Sequence, residues 1–128
     1  MPVVASRIGQ IARTVSDVKA SVNWFQQHLG LQCLFQFEGM AFLSCDGVRL
    51  MLTQAESAQP ESILYFEVPD LDASIEAFQS AGITILQMPH QIHQHDDGTQ
   101  EWMAFIEDPD QRPLGLIEKR RPSAATPA

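Results

Sequence analysis

The 128-residue chain carries 8 Lys and Arg against 16 Asp and Glu, a net charge of −8, with 45% hydrophobic and 19% charged residues. Length and composition describe one soluble globular domain, long enough to build its own core without disulfides or metal. The acidic balance argues against a non-specific nucleic-acid binder and against docking on an anionic membrane surface, and no apolar run approaches the roughly 20 residues of a membrane span.

Met1 to Ser6 shows no basic segment leading into an apolar stretch, so no export signal is expected and the expected compartment is the cytoplasm. Arg7 to Val15 reads as a strand. Ser16-Asp17 follows as a helix start, where an Asp accepts a backbone N–H and complements the helix dipole. Val18, Val22, Phe25 and Leu29 then recur on one helical face, and Gly30 ends the helix. Three strands follow, Leu31–Phe37, Met40–Ser44 and Val48–Thr53, separated by Glu38-Gly39 and Asp46-Gly47 turns. Cys33 and Cys45 lie among these strands without a pairing motif and are expected as reduced thiols. Gln54 to Glu61 is polar, contains Pro60, and reads as a linker.

A strand at Ser62–Val68 leads into Pro69-Asp70 and a second helix carrying Leu71, Ile75 and Phe78, stopped at Gly82. Strands are then expected at Ile83–Met88, Glu101–Glu107 and Leu114–Lys119, with turns at Asp97-Gly98 and Asp108-Pro109-Asp110. Pro122 to Ala128 reads as a disordered tail. Lying 53 residues apart, Val15/Val68, Asp17/Asp70, Ala20/Ala73, Ser21/Ser74, Phe25/Phe78 and Gln26/Gln79 are identical pairs. The halves therefore repeat one supersecondary unit. The expected architecture is α+β: two βαβββ modules, about residues 7–53 and 62–119, in one domain of residues 1–121, their open sheet faces curving around a cavity.

These residues resemble the vicinal oxygen chelate superfamily of glyoxalase I, bleomycin-resistance proteins and extradiol dioxygenases. The likeness rests on Val15-Ser16-Asp17, Trp24-Phe25, Leu29-Gly30-Leu31, the stretch Phe66 to Leu71, and Trp102 to Asp110. It implies a half-barrel cavity and a homodimer. In the superfamily's enzymes it also implies a divalent metal held by His, Gln or Glu on cavity-facing strands, polarising a substrate with adjacent oxygens. Carried onto this chain, the four ligand positions are Gln10, Met51, Ile63 and Gly115. One amide oxygen does not hold a divalent cation, which needs three or more ligands. Glu118 stands three residues beyond Gly115, so strand alternation turns it to the opposite face. The turn also departs from the family pattern, with Gln111 where Gly is usual. No metal and no cofactor is expected.

Other groups bear on chemistry. His90, His93 and His95 lie with Asp96, Asp97 and Glu101 in a segment that reads as a loop between strands. It offers a relocated metal site with Gln10, or a solvated loop with His90 at the cavity mouth. Glu67 and Tyr65 share the expected cavity face with Ile63. In an apolar cavity Glu67 would be a candidate catalytic acid or base, whereas a strand-end Glu is otherwise solvated. Arg49, on the face of Met51, offers a fork of donors to an anionic ligand, and Gln10 a hydrogen-bonding amide. Met51, Trp102 and other apolar side chains supply soft surface.

The leading expectation is therefore a metal-free protein binding an apolar or aromatic small molecule through Gln10, Arg49, Met51, Ile63, Tyr65, His90, Trp102 and Gly115. The alternatives are a metal-dependent lyase, isomerase or dioxygenase using Gln10 and the His90–His95 segment, proton transfer by Glu67 without metal, and an interaction module with a filled cavity.

Overall fold

Asp17 and Asp70 start the two helices in the same way. Each is extended, and each carboxylate accepts from the backbone N–H three residues on, Ala20 at 3.1 Å and Ala73 at 3.0 Å. The helices are α1 (Val18–Leu29) and α2 (Leu71–Ser80). Gly30 closes α1 in the left-handed conformation at φ 69°, a position a side chain would strain. The computed structural model describes residues 3–122, so residues 123–128 of the expected tail lie outside the described residues.

The described residues fall into two compact units, divided between Glu61 and Ser62. Unit one holds β1 (Gln10–Val15), α1, β2 (Gln32–Phe37), β3 (Met40–Cys45) and β4 (Val48–Gln54). Unit two holds β5 (Tyr65–Glu67), α2, β6 (Ile85–Gln94), β7 (Gln100–Glu107) and β8 (Pro113–Arg120). The sheets run β1-β4-β3-β2 and β5-β8-β7-β6. In each, the strand before the helix pairs in parallel with the last strand, and the other pairings are antiparallel. Two βαβββ modules, an α+β fold, are what the repeat leads one to expect.

Each unit has its own core between helix and sheet. In unit one Val18, Val22 and Phe25 of α1 meet Val15, Ala41, Leu43, Leu50 and Leu52, all buried. In unit two Leu71, Ile75 and Phe78 meet Ala104, Ile106, Leu114 and Leu116. Each fully buried Leu, Ile or Phe contributes roughly 1.5–3 kcal/mol. Arg13 is buried on the same side of its sheet as Val15.

The first backbone N–H of each helix is satisfied by the last strand of its own sheet. Val18 N–H donates to Gln54 Oε1 at 3.2 Å, and Leu71 N–H to Glu118 Oε1 at 2.8 Å. Gln54 pairs with Val15. Glu118 stands opposite Val68, the repeat mate of Val15, because Ile117 pairs with Glu67. The two acceptors hold equivalent places, and Glu118 faces the helix side.

One expectation needs correction, and the segment expected as a linker has contacts of its own. Gln54 to Glu61 is anchored to unit one. The Thr14 N–H and hydroxyl both donate to Glu61 Oε1, at 2.9 and 2.8 Å, and Gln59 N–H donates to the Thr14 hydroxyl at 3.0 Å. The segment holding His90 and His93 is strand: β6 runs to Gln94, six residues past the expected Met88. It is an edge strand with register shifts at 85/87, 87/90 and 91/93, which accommodate Pro89 and blur alternation along the sequence.

Candidate functional site

The helix covers one face of each sheet, and the site candidates divide by face. Register places Gln10, Ala12 and Thr14 of β1 on the open face of unit one, with Arg49, Met51 and Thr53 of β4. Met40, Phe42 and Ser44 of β3 and Phe35 and Phe37 of β2 complete it. Phe35 and Phe37 are 61% and 59% exposed, with ring centroids 6.4 Å apart and nearly parallel planes.

Gln10, Arg49, Met51 and Phe42 form a contact chain there. Arg49 Nε donates to Gln10 Oε1 at 2.6 Å. The other end of the Gln10 amide donates to Met51 Sδ at 3.8 Å. The Arg49 guanidinium carbon stands 5.1 Å from the centroid of the Phe42 ring. Sequence reasoning named Gln10, Arg49 and Met51, and unit one brings all three together.

On the open face of unit two, Tyr65 pairs across to Gly115, and Phe105 of β7 pairs with Gly115 from the other side. The Tyr65 ring lies directly over Gly115. A Cβ built on Gly115 would fall 2.6 Å from Tyr65 Cε1 and closer still to Cδ1. The ring also meets Phe105 edge to face at 5.8 Å and remains 49% exposed. Met103 and Ile117 pair on this face, and His90 lies opposite Met103. His90 Nδ1 is 3.2 Å from the Met88 carbonyl oxygen.

Several expected site residues stand elsewhere. Ile63 precedes β5 by two residues, because the regular strand begins only at Tyr65. Trp102 pairs with Glu118 and faces the helix side, where the Arg120 guanidinium stacks on it at 4.1 Å; it takes no part in the open face. Its indole N–H donates to Gln100 Oε1 at 2.9 Å. Glu67 does share the Tyr65 face, but its side chain is 67% exposed and pairs with Lys119 at 3.4 Å. The apolar enclosure that would make it a catalytic acid or base is not around it. Glu67 and Lys119 instead border a groove of about 310 Å³ with Val68, Pro69 and Arg121.

The histidines make pairs of their own. His95 Nε2 bonds Glu101 Oε2, and the His93 and His95 rings meet edge to face at 4.5 Å. Among the described residues, no three His, Cys, Asp or Glu side chains converge as a metal-holding group, and no helix is long and apolar enough to cross a membrane.

The sequence profile of the Glyoxalase/Bleomycin resistance protein/Dioxygenase superfamily matches residues 7–113. The chain belongs to this superfamily. No curated protein matches the superfamily member described here in sequence. Its fold is similar to that of a Salmonella typhimurium virulence protein, at 20% identity and a TM-score of 0.73, covering 91% of this chain and 98% of the other. It is equally similar to an antibiotic binding protein from Streptomyces, at 19% identity and a TM-score of 0.73, covering 92% and 99%. A lactoylglutathione lyase from Agrobacterium tumefaciens matches at 20% identity and a TM-score of 0.66, covering 89% and 94%. At these identities the likeness establishes the fold alone.

For this superfamily member the metal expected of its enzymes can be tested against the side chains present. Gln10 Oε1, the one suitable oxygen, already accepts from Arg49. Met51 offers only a thioether, suited to soft metals rather than to hard cations. Gly115 has no side chain, and the Tyr65 ring fills the space where one would project. These residues do not fit a divalent metal.

Proposed function

We propose that this protein binds an apolar or aromatic small molecule on the open faces of its sheets, without a metal. The observation that carries this reading is the Tyr65 ring packed on Gly115, an aromatic surface at a position to which the family resemblance assigns a metal ligand. Phe105, Met103 and Ile117 continue that surface in unit two, and Phe35, Phe37, Phe42 and Met51 form another in unit one. Broad apolar surface with a few polar anchors is the usual build of a small-molecule site. The same fold serves an antibiotic binding protein in Streptomyces, so it can present a binding surface of this kind.

The test is elemental mass spectrometry on untagged protein purified without chelator, followed by thermal melts with and without chelator and against a panel of aromatic compounds. Metal well below one atom per chain is expected, with a melting temperature that chelator leaves unchanged. Aromatic ligands should raise it, because a ligand that binds only the folded state stabilises it. One tightly held metal per chain, with melting lowered by chelator, would overturn the reading and favour a metal-dependent lyase, isomerase or dioxygenase. Cytoplasmic location and a homodimer belong to the same proposal; light scattering on the purified protein tests the dimer.

A further inference from the structure

The open face of unit one carries a cation held in place, with no carboxylate among the described residues to neutralise it. Lys119 pairs with Glu67, Arg112 with Asp108 and Asp110, and Arg120 with Asp72 and Glu118. Arg49 has two partners, the Gln10 amide oxygen and the Phe42 ring, and among the described residues neither it nor they bring a carboxylate to it.

The arrangement also fixes how the guanidinium is presented. Gln10 is committed at both ends, its oxygen to Arg49 and its nitrogen to Met51. It holds Arg49 by Nε alone, so the paired donors on the two terminal nitrogens remain available. Such a pair of parallel N–H groups matches the two oxygens of a carboxylate. Phe42 lies under the guanidinium and pairs across to Phe35, so an aromatic body would meet ring surface beside the charge.

We infer that the ligand of this face is an aromatic carboxylate, its carboxylate received by Arg49 and its ring by Phe42 and Phe35. Gln10 is a positioning residue for Arg49. The inference rests on the small-molecule-binding reading and adds the ligand's charge to it. Met51 and Ala12, neighbours on the same face, line the surface without competing for the anion.

The experiment uses the full chain, isotope-labelled, titrated with 2-naphthoate and with its neutral isostere 2-naphthamide and followed by NMR. Naphthoate should bind at least about tenfold more tightly, the scale of one charge-assisted bidentate contact at a partly solvated site. The preference should shrink with added salt, which screens an exposed pair. Arg49→Met keeps an apolar stem and should abolish the preference, so that the two probes bind the variant alike. Arg49 is exposed, and the variant's own spectrum reports whether the fold is intact. Gln10→Ala should reduce the preference without abolishing it. Equal binding of the two probes to wild type, or a preference that survives Arg49→Met, overturns the carboxylate inference and leaves the small-molecule reading standing. Failure of both probes to shift any open-face resonance up to about 5 mM, a limit weaker than millimolar affinity, overturns that reading itself.

Discussion

Substituting Gly115 by Ala tests the Tyr65 platform directly. Gly115 does not need a positive φ, so alanine brings no backbone strain, and the one obstacle is the ring. The new methyl would sit 2.6 Å from Cε1 and 3.1 Å from Cγ, so Tyr65 must swing away. That move gives up the edge contact with Phe105, worth about 0.5–1.5 kcal/mol. It also re-exposes the ring area resting on the strand. A displaced patch of about 50 Å² adds roughly 1.2 kcal/mol at 25 cal/mol per Å². Alanine returns about 0.5–1 kcal/mol through the lower entropy of its unfolded chain. The net expectation is a loss of about 1–2 kcal/mol, at the lower end of the cost of overpacking because half of the ring faces solvent. In a Tyr65→Ala background the obstacle is gone, and Gly115→Ala should be neutral or gain up to about 1 kcal/mol. Urea unfolding of the four proteins closes the cycle, with a coupling of about 1–3 kcal/mol between the two sites. Equal cost of Gly115→Ala in both backgrounds, or stabilisation in wild type, would refute the reasoning.

Three further expectations follow from local geometry. Asp17→Ala and Asp70→Ala each remove a helix cap and should each cost about 1 kcal/mol in urea unfolding, and equal losses would show that the repeat is energetic as well as topological. Gln111 stands at φ 63°, where its side chain is strained, so Gln111→Gly should raise stability by up to about 1 kcal/mol, and a melting temperature lowered by this change would contradict that. Asp97 is held below the usual carboxylate range, chiefly by the Thr99 backbone N–H that donates to it at 2.8 Å. Its contribution to stability is present above the ordinary Asp value of 3.8 and is lost as pH falls below that toward the lower folded value. Titration of its side-chain carbon by NMR should give a midpoint below 3.8, and the Thr99→Pro variant, which lacks the N–H, should move it back up.

The repeat made the strand–helix starts readable, because Asp17 and Asp70 sit at matched places before matched apolar spacings. Strand alternation also turned Glu118 to the helix side correctly. What the sequence hid was chemistry that depends on unequal lengths. Gln54 and Glu118 do one job, yet they do not fall on the 53-residue spacing, because β6, β7 and the turns that follow them are longer than β2, β3 and theirs. The run Met88-Pro89-His90-Gln91-Ile92-His93 lost its strand signature to Pro89 and to bulges that break the period of two. The size of Trp102 suggests a place in the site, but its register opposite Glu118 turns it to the helix side, where Arg120 stacks on it. The Tyr65 ring over Gly115 follows from β-pairing across 50 residues of chain, which no local pattern announces.

The twin acceptors Gln54 and Glu118 bear on how the chain is made. All four strands of the first sheet, its helix and the glutamine that satisfies the first helical N–H come from the first 54 residues. The returning segment that seats Glu61 on Thr14 ends where unit one ends. The pairings of that sheet all lie within residues 10–54. During synthesis from the N-terminus, the residues of this complete set of pairings are therefore made before those of the second copy of the pattern, which could compete for the same edges. For a protein built from two similar halves, order of birth is a safeguard against mispairing between them.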